Sequence, residues 1–147
     1  MIEKLAPLSV IIETTGADPL TDCIWELALV PLLSSWLPDP NKLPFHLVLV
    51  PTTAFEDIDF TSEEMKGNKC RLGNAYVSGV HSEVASSMLE RWINDNYNVE
   101  TKFTALFHNV KAGFNFLYDL LPGEQLRRRF DTHYRDVAVV ESYIRDK

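Results

Sequence analysis

Leu8-Ser9-Val10-Ile11-Ile12 is a short run of apolar, mostly β-branched residues that ends at Glu13 and is stopped by Thr14-Thr15-Gly16. Side chains of this type suit a pleated, buried surface, so residues 8–13 read as a buried strand, central in a sheet. Two further apolar runs follow, Cys23 to Leu33 and Pro44 to Val50, with Asp18-Pro19 turning the chain before the first. Pro38, Pro40 and Asn41 mark the bend between them, so the pair is expected to form antiparallel strands joined by a loop. Residues 51–81 show no clean period and contain Gly67, Gly73 and Gly79. They read as loops with one short helix near Ser62–Lys66.

The clearest helix is Ser82–Asn96. Val84, Ala85, Met88, Leu89, Trp92 and Ile93 fall on one stripe, the spacing of an amphipathic helix whose Met and Trp belong to the core. Ser82 is expected as its N-cap, with Glu83 in the first turn. Lys102 to Phe107 reads as a fourth strand and Ala112 to Leu121 as a helix stopped by Pro122-Gly123. A short helix over Gly123–Phe130 and an apolar, helical segment over Val137–Arg145 complete the chain. Three strands, a helix, a strand and a helix describe an α/β domain with one sheet, and 147 residues suit a single domain over 1–147.

Twenty-one acids against 14 Lys+Arg give a net charge of −7, which argues against strong sequence-independent binding to nucleic acid. A small nuclease that engages only a strand end stays compatible with it. The basic cluster Arg127-Arg128-Arg129 reads as a solvated helix face meeting Glu124 and Asp131. No apolar run reaches the roughly 20 residues that cross a bilayer, and the start lacks a basic then apolar leader, so no membrane and a cytoplasmic, unprocessed chain are expected. Cys23 and Cys70 lack metal-ligand spacing, and Cys23 reads as a small buried hydrophobe.

The stretch Ile12-Glu13-Thr14-Thr15-Gly16-Ala17-Asp18-Pro19 resembles the first motif of the DEDD 3′–5′ exonucleases, the group of proofreading exonucleases, RNase T and oligoribonuclease. Asp22-Cys23-Ile24-Trp25-Glu26-Leu27-Ala28 resembles the strand that follows it. His108-Asn109-Val110-Lys111-Ala112-Gly113-Phe114-Asn115-Phe116-Leu117 is similar to the second motif, and His133-Tyr134-Arg135-Asp136-Val137 to a later oligoribonuclease segment. The ordered set runs from about residue 8 to 145. It implies a ribonuclease H-like exonuclease fold: three antiparallel strands, then a parallel strand, with flanking helices and the last helix missing or shortened.

The resemblance also implies a two-metal hydrolysis of the terminal phosphodiester, with Mg²⁺ or Mn²⁺ held by four carboxylates. Two of these come from positions i and i+2 of the first strand, on one face. Here those positions are Ile11 and Glu13, so the Glu is present and the Asp has become isoleucine. The third belongs at Gly113, which has no side chain. Asp119 lies roughly 9 Å further and about 240° around the helix, and Asn115 about 200° around, so neither replaces it. The fourth carboxylate and the general base belong to a final His-x-x-x-x-Asp helix that the sequence up to Lys147 does not deliver, and His133 belongs to a different motif.

Glu13 is thus the remnant of the implied catalytic and metal site, holding a weak single ion or none or touching a nucleotide's terminal hydroxyl, with no metal pair expected unless a partner or an unusual set using Asp18 or Asp22 completes it. The competing reading of Glu13 is an acid at a strand end, solvated or bonded to the Thr14–Gly16 turn. Thr14, Thr15, His108 and Asn109 are the implied nucleic-acid contacts. His108-Asn109 also suits turn and cap chemistry, and the backbone at Lys111-Ala112-Gly113 suits an anion. The function expected is a catalytically inactive binding or interaction module. Its partner would be a protein or a nucleic-acid 3′ end, or a second copy covering an exposed sheet edge. An active exonuclease with a partner-completed site is the alternative.

Overall fold

The computed structural model describes residues 5–107 and 113–130, and the backbone strand at 134–136. Strand β1 (Leu5–Thr14) is flanked by β2 (Ile24–Pro31) and β4 (Lys102–Phe107); β3 (Phe45–Val48) lies outside β2 and β5 (Tyr134–Asp136) outside β4. The sheet order is β3-β2-β1-β4-β5. The β1–β2 and β2–β3 pairs are antiparallel, and the β1–β4 and β4–β5 pairs are parallel. The apolar run of the first strand therefore sits in the middle of the sheet, as its composition requires. The three antiparallel strands and parallel β4 match the expected order, and β5 adds a second parallel strand that the sequence did not announce.

Helix α1 (Glu63–Ser78) and α2 (Ser82–Asn96) connect β3 to β4; α3 (Gly113–Leu120) and α4 (Glu124–Arg128) follow β4. Alternation along β1 divides the side chains between two faces. Ala6, Leu8, Val10 and Ile12 are buried in the main core with Ala85, Leu89 and Ile93 of α2 and Phe116 and Leu117 of α3. Ile11, 48% exposed, and the partly buried Glu13 leave on the other face.

A β-bulge shapes that second face. Glu13 pairs with Glu26 but Thr14 with Ile24, so Trp25 is the extra residue in β2. Ile24 and Leu27 both enter the main core, whereas Trp25 joins a separate cluster with Ile58, Leu72 and Ala75 under α1. Its indole N–H donates to the Thr14 carbonyl at 3.3 Å. The bulge thus sends two consecutive side chains, Trp25 and Glu26, toward α1.

Several expectations are corrected. The helix near Ser62–Lys66 continues to Ser78, because Ser62 caps it by accepting from the Met65 N–H at 3.1 Å and Glu63 and Glu64 fill its first turn. Only Leu72 and Ala75 of this helix are buried, which is why its sequence carries no strong period. Helix α2 has the expected bounds, but His81 is its N-cap residue and Ser82 already lies inside it. Val84 and Met88 are exposed at 51% and 41%, so the core stripe narrows to Ala85, Leu89 and Ile93 with Trp92 at its margin. Arg129 is buried rather than solvated, donating to the carbonyls of Thr101 and Asn98 at 2.7 Å each. Arg128 does pair with Glu124, at 3.7 Å. Cys23 is half-buried. The expected helix over Val137–Arg145 and the contact to Asp131 lie outside the described residues.

Candidate functional site

The strand end that carries Glu13 faces α1 across the bulge. Glu13 and Glu26 are direct cross-strand neighbours, an arrangement that costs free energy for two like charges unless a cation intervenes. Helix α1 supplies the cation. Arg71 donates to Glu26 Oε1 and, at 3.3 Å, to the side-chain oxygen of Asn68 one turn earlier; Asn68 Nδ2 donates to Glu13 Oε2 at 3.3 Å. His46 Nε2 of β3 lies 3.0 Å from the other oxygen of Glu26. The Arg71 guanidinium also lies 5.3 Å from the centre of the Trp25 ring, a cation–π arrangement. Five side chains from three strands and one helix therefore form one chain: Glu13, Asn68, Arg71, Glu26, His46.

The two glutamates respond oppositely. Burial pushes the Glu13 carboxyl above the ordinary glutamate value, the Glu64 charge adds to this, Arg71 opposes it, Glu26 adds again and the Asn68 bond opposes. Burial would also raise Glu26, but the bonds from His46 and Arg71 and their charges outweigh it and hold that carboxyl low. Arg71 is thus spent mainly on Glu26. Glu13 is partly buried and accepts from Asn68 rather than from the Thr14–Gly16 turn.

The turn itself is closed by other groups. Thr14 Oγ1 donates to the Gly16 carbonyl at 2.7 Å. Thr15 is buried, accepting from the Cys23 N–H at 3.1 Å and donating to Asp22 at 3.3 Å. Asp22 also accepts from the Asp18 N–H at 3.0 Å, and its carboxylate sits so close over Gly16 that any Cβ there would collide with it. Both aspartates considered as substitute ligands are therefore engaged in the turn; Asp18 accepts from the Leu20 N–H at 3.0 Å. The Cys23 thiol sits among threonines: burial pushes it up, but hydrogen bonds from Thr53, Thr52 and Thr15 hold it below the ordinary thiol value.

Gly113, the position of the third implied carboxylate, is buried. A Cβ built there would lie 2.7 Å from Cδ1 of Phe107, whose ring belongs to the main core with Leu8 and Val10. A side chain at 113 would enter that core, on the sheet face opposite to Ile11 and Glu13. His108 and Asn109, the other expected contacts, lie outside the described residues. The donors present do not fit a divalent metal pair: Ile11 and Gly113 offer no oxygen, and Glu13 stands beside a bound guanidinium. No group of three His, Cys, Asp or Glu side chains among the described residues could hold an ion. A cavity of about 1150 Å³ lined by Glu90, Lys102, Glu124 and Arg128 lies elsewhere. Lys102 is in register with Leu5, eight residues from Glu13, or about 26 Å along the strand.

Sequence reasoning missed Asn68, Arg71 and His46. The signal for the first two was their i, i+3 spacing, legible only once α1 is recognised as a continuous helix.

A central strand with antiparallel partners on one flank and parallel partners on the other defines a mixed α/β domain. Solved structures of exonuclease I share this fold. An inhibitor complex superposes with a TM-score of 0.66 at 15% identity, covering 95% of this chain and 30% of that one. The metal-free complex of the E. coli enzyme with single-stranded DNA gives 0.66 at 15% identity, covering 94% and 29%. A complex of exonuclease I with the SSB C-terminus gives 0.65 at 15%, again covering 94% and 29%. The chain therefore spans less than a third of the length of these neighbours, and the likeness at this identity is one of fold. No family model matches the sequence, and no curated protein matches it.

Proposed function

We propose that this domain is an exonuclease scaffold that has kept a binding role and lost hydrolysis, its ligand being a nucleic-acid 3′ end. The observation that carries the reading is the fate of Glu13: the remaining carboxylate of the implied set accepts from Asn68 and lies in a network with Arg71, Glu26 and His46. Ile11 and Gly113 remove the donors that would compete for it. Among the structural neighbours, exonuclease I is seen in a metal-free complex with single-stranded DNA. Thr14, Thr15, His108 and Asn109 are the contacts this reading assigns to the strand end. The hydroxyls of Thr14 and Thr15 are engaged in the turn, so contact there falls to the surface the turn presents.

A protein partner is the second reading. It is favoured by the net charge of −7, which disfavours long phosphate contacts, and by the neighbour's complex with the SSB C-terminus. Fluorescence anisotropy separates the two. With EDTA present, a labelled single strand with a free 3′ hydroxyl should bind, and a 3′-phosphorylated strand of the same sequence should bind at least tenfold more weakly. Equal, negligible anisotropy for both strands would remove the nucleic-acid reading and leave the protein one.

A further inference from the structure

Eleven large hydrophobic side chains are exposed among the described residues, and six of them lie along the β3 edge: Leu33, Trp36, Leu37, Leu43, Val84 and Met88. Their continuity follows from the fold. Met88 and Val84 stand one and two helical turns before Trp92, on one line of α2. Trp92 packs on Phe45 with ring centres 5.6 Å apart, and its indole N–H donates to the Leu43 carbonyl at 3.1 Å. The pairing of Leu29 with Phe45 returns Leu43 to the base of the β2–β3 loop, where Leu32 bridges Pro38. Leu33, Trp36 and Leu37 form the tip of that loop, fixed by the Leu33 N–H to Leu37 carbonyl bond at 2.7 Å and the Trp36 N–H to Leu33 carbonyl bond at 2.9 Å. Trp36 has φ 67°, the one positive value of a non-glycine residue among those described, and its side chain is 52% exposed. A bulky residue in this region is strained, and here the strain presents an indole to the surface.

We propose that this strip is the contact surface of a two-fold symmetric dimer of the chain. Area and charge both favour a second copy. The exposed apolar surface of the six side chains is on the order of 600 Å², the size of the largest apolar patch on an ordinary monomer. Interfaces between identical chains are about 65% apolar and standard-size ones bury about 800 Å² per partner, so a strip of this size supplies the apolar part of one half. The charges beside the strip come in opposite pairs, Lys42 with Asp39 at 3.6 Å and Arg91 with Asp95 at 3.9 Å. Two molecules that each carry a net charge of −7 repel, and a strip with balanced charges is where like surfaces meet at least cost. A nucleic acid or an anionic membrane would require unpaired cations, which the strip does not offer.

Sedimentation velocity of the full chain over a range of micromolar concentrations tests the proposal. The wild type should sediment as a dimer, and Leu37→Glu and Met88→Glu should each weaken association at least tenfold while retaining the wild-type circular dichroism. Val77→Glu, on α1 at an 89% exposed position, should leave the dimer intact. A wild-type monomer throughout the range would overturn the proposal. So would a dimer that survives both strip substitutions, or a monomer that binds phosphatidylserine vesicles through the strip. The two variants sit on different elements, and the wild-type mass decides even where a variant fails to fold.

Discussion

Glu13 and Glu26 face each other across β1 and β2, yet their environments push them in opposite directions. Glu26 has its carboxyl held below the ordinary value, so its contribution to stability is present above the unfolded-state pKa near 4.5 and is lost as the pH falls through the folded value. Glu26→Gln should therefore cost about 1 kcal/mol at pH 7, the scale of a solvent-accessible ion pair, and the difference should shrink in acid. Glu13 has its carboxyl raised, so ionisation opposes folding once the pH exceeds the folded value. Glu13→Gln should leave stability at pH 7 unchanged or increased, and the effect should vanish below the unfolded-state pKa. Urea denaturation of both variants at neutral and acidic pH checks the pair. A Glu13→Gln variant destabilised at pH 7 as much as Glu26→Gln would contradict the assignment of Arg71 to Glu26.

The elements whose residues do one job were legible in the sequence, and those whose residues do several were not. Strand β1 and helix α2 could be placed because β-branched runs and helical stripes record burial directly, and both have the expected character. Helix α1 could not, because most of it faces solvent, only Leu72 and Ala75 are buried, and the purpose of Asn68 and Arg71 is visible only beside Glu13 and Glu26. Arg129 was misread for a similar reason: a charged residue in an Arg run gives no hint that two backbone carbonyls await it inside. Truncating it leaves those carbonyls unpaired, so Arg129→Ala should lower the unfolding free energy by about 2 kcal/mol in urea denaturation. The resemblance assigned a carboxylate to position 113, but the sequence does not say that the Phe107 ring lies against it. Gly113→Asp forces that ring to move and buries a charge in the core, and it should destabilise by at least about 3 kcal/mol. A Gly113→Asp protein as stable as the wild type would show that the pocket for the third carboxylate is still open.

At the scale of the whole molecule, the fold is similar to that of exonuclease I, while the side chains at the strand end form an internal charge network. Hydrolysis at neutral pH needs a metal to lower the pKa of the attacking water, and the donors at positions 11, 13 and 113 do not form a site for one. The most direct measurement is incubation of the pure protein with 5′-labelled single-stranded DNA, RNA and dinucleotides in Mg²⁺ or Mn²⁺, with Glu13→Ala alongside to separate its own activity from contaminating nucleases. The substrates should remain intact with both proteins, or be degraded equally by both if a contaminant is present. Degradation by the wild type that disappears in a folded Glu13→Ala protein would contradict the central claim and establish a working site at Glu13.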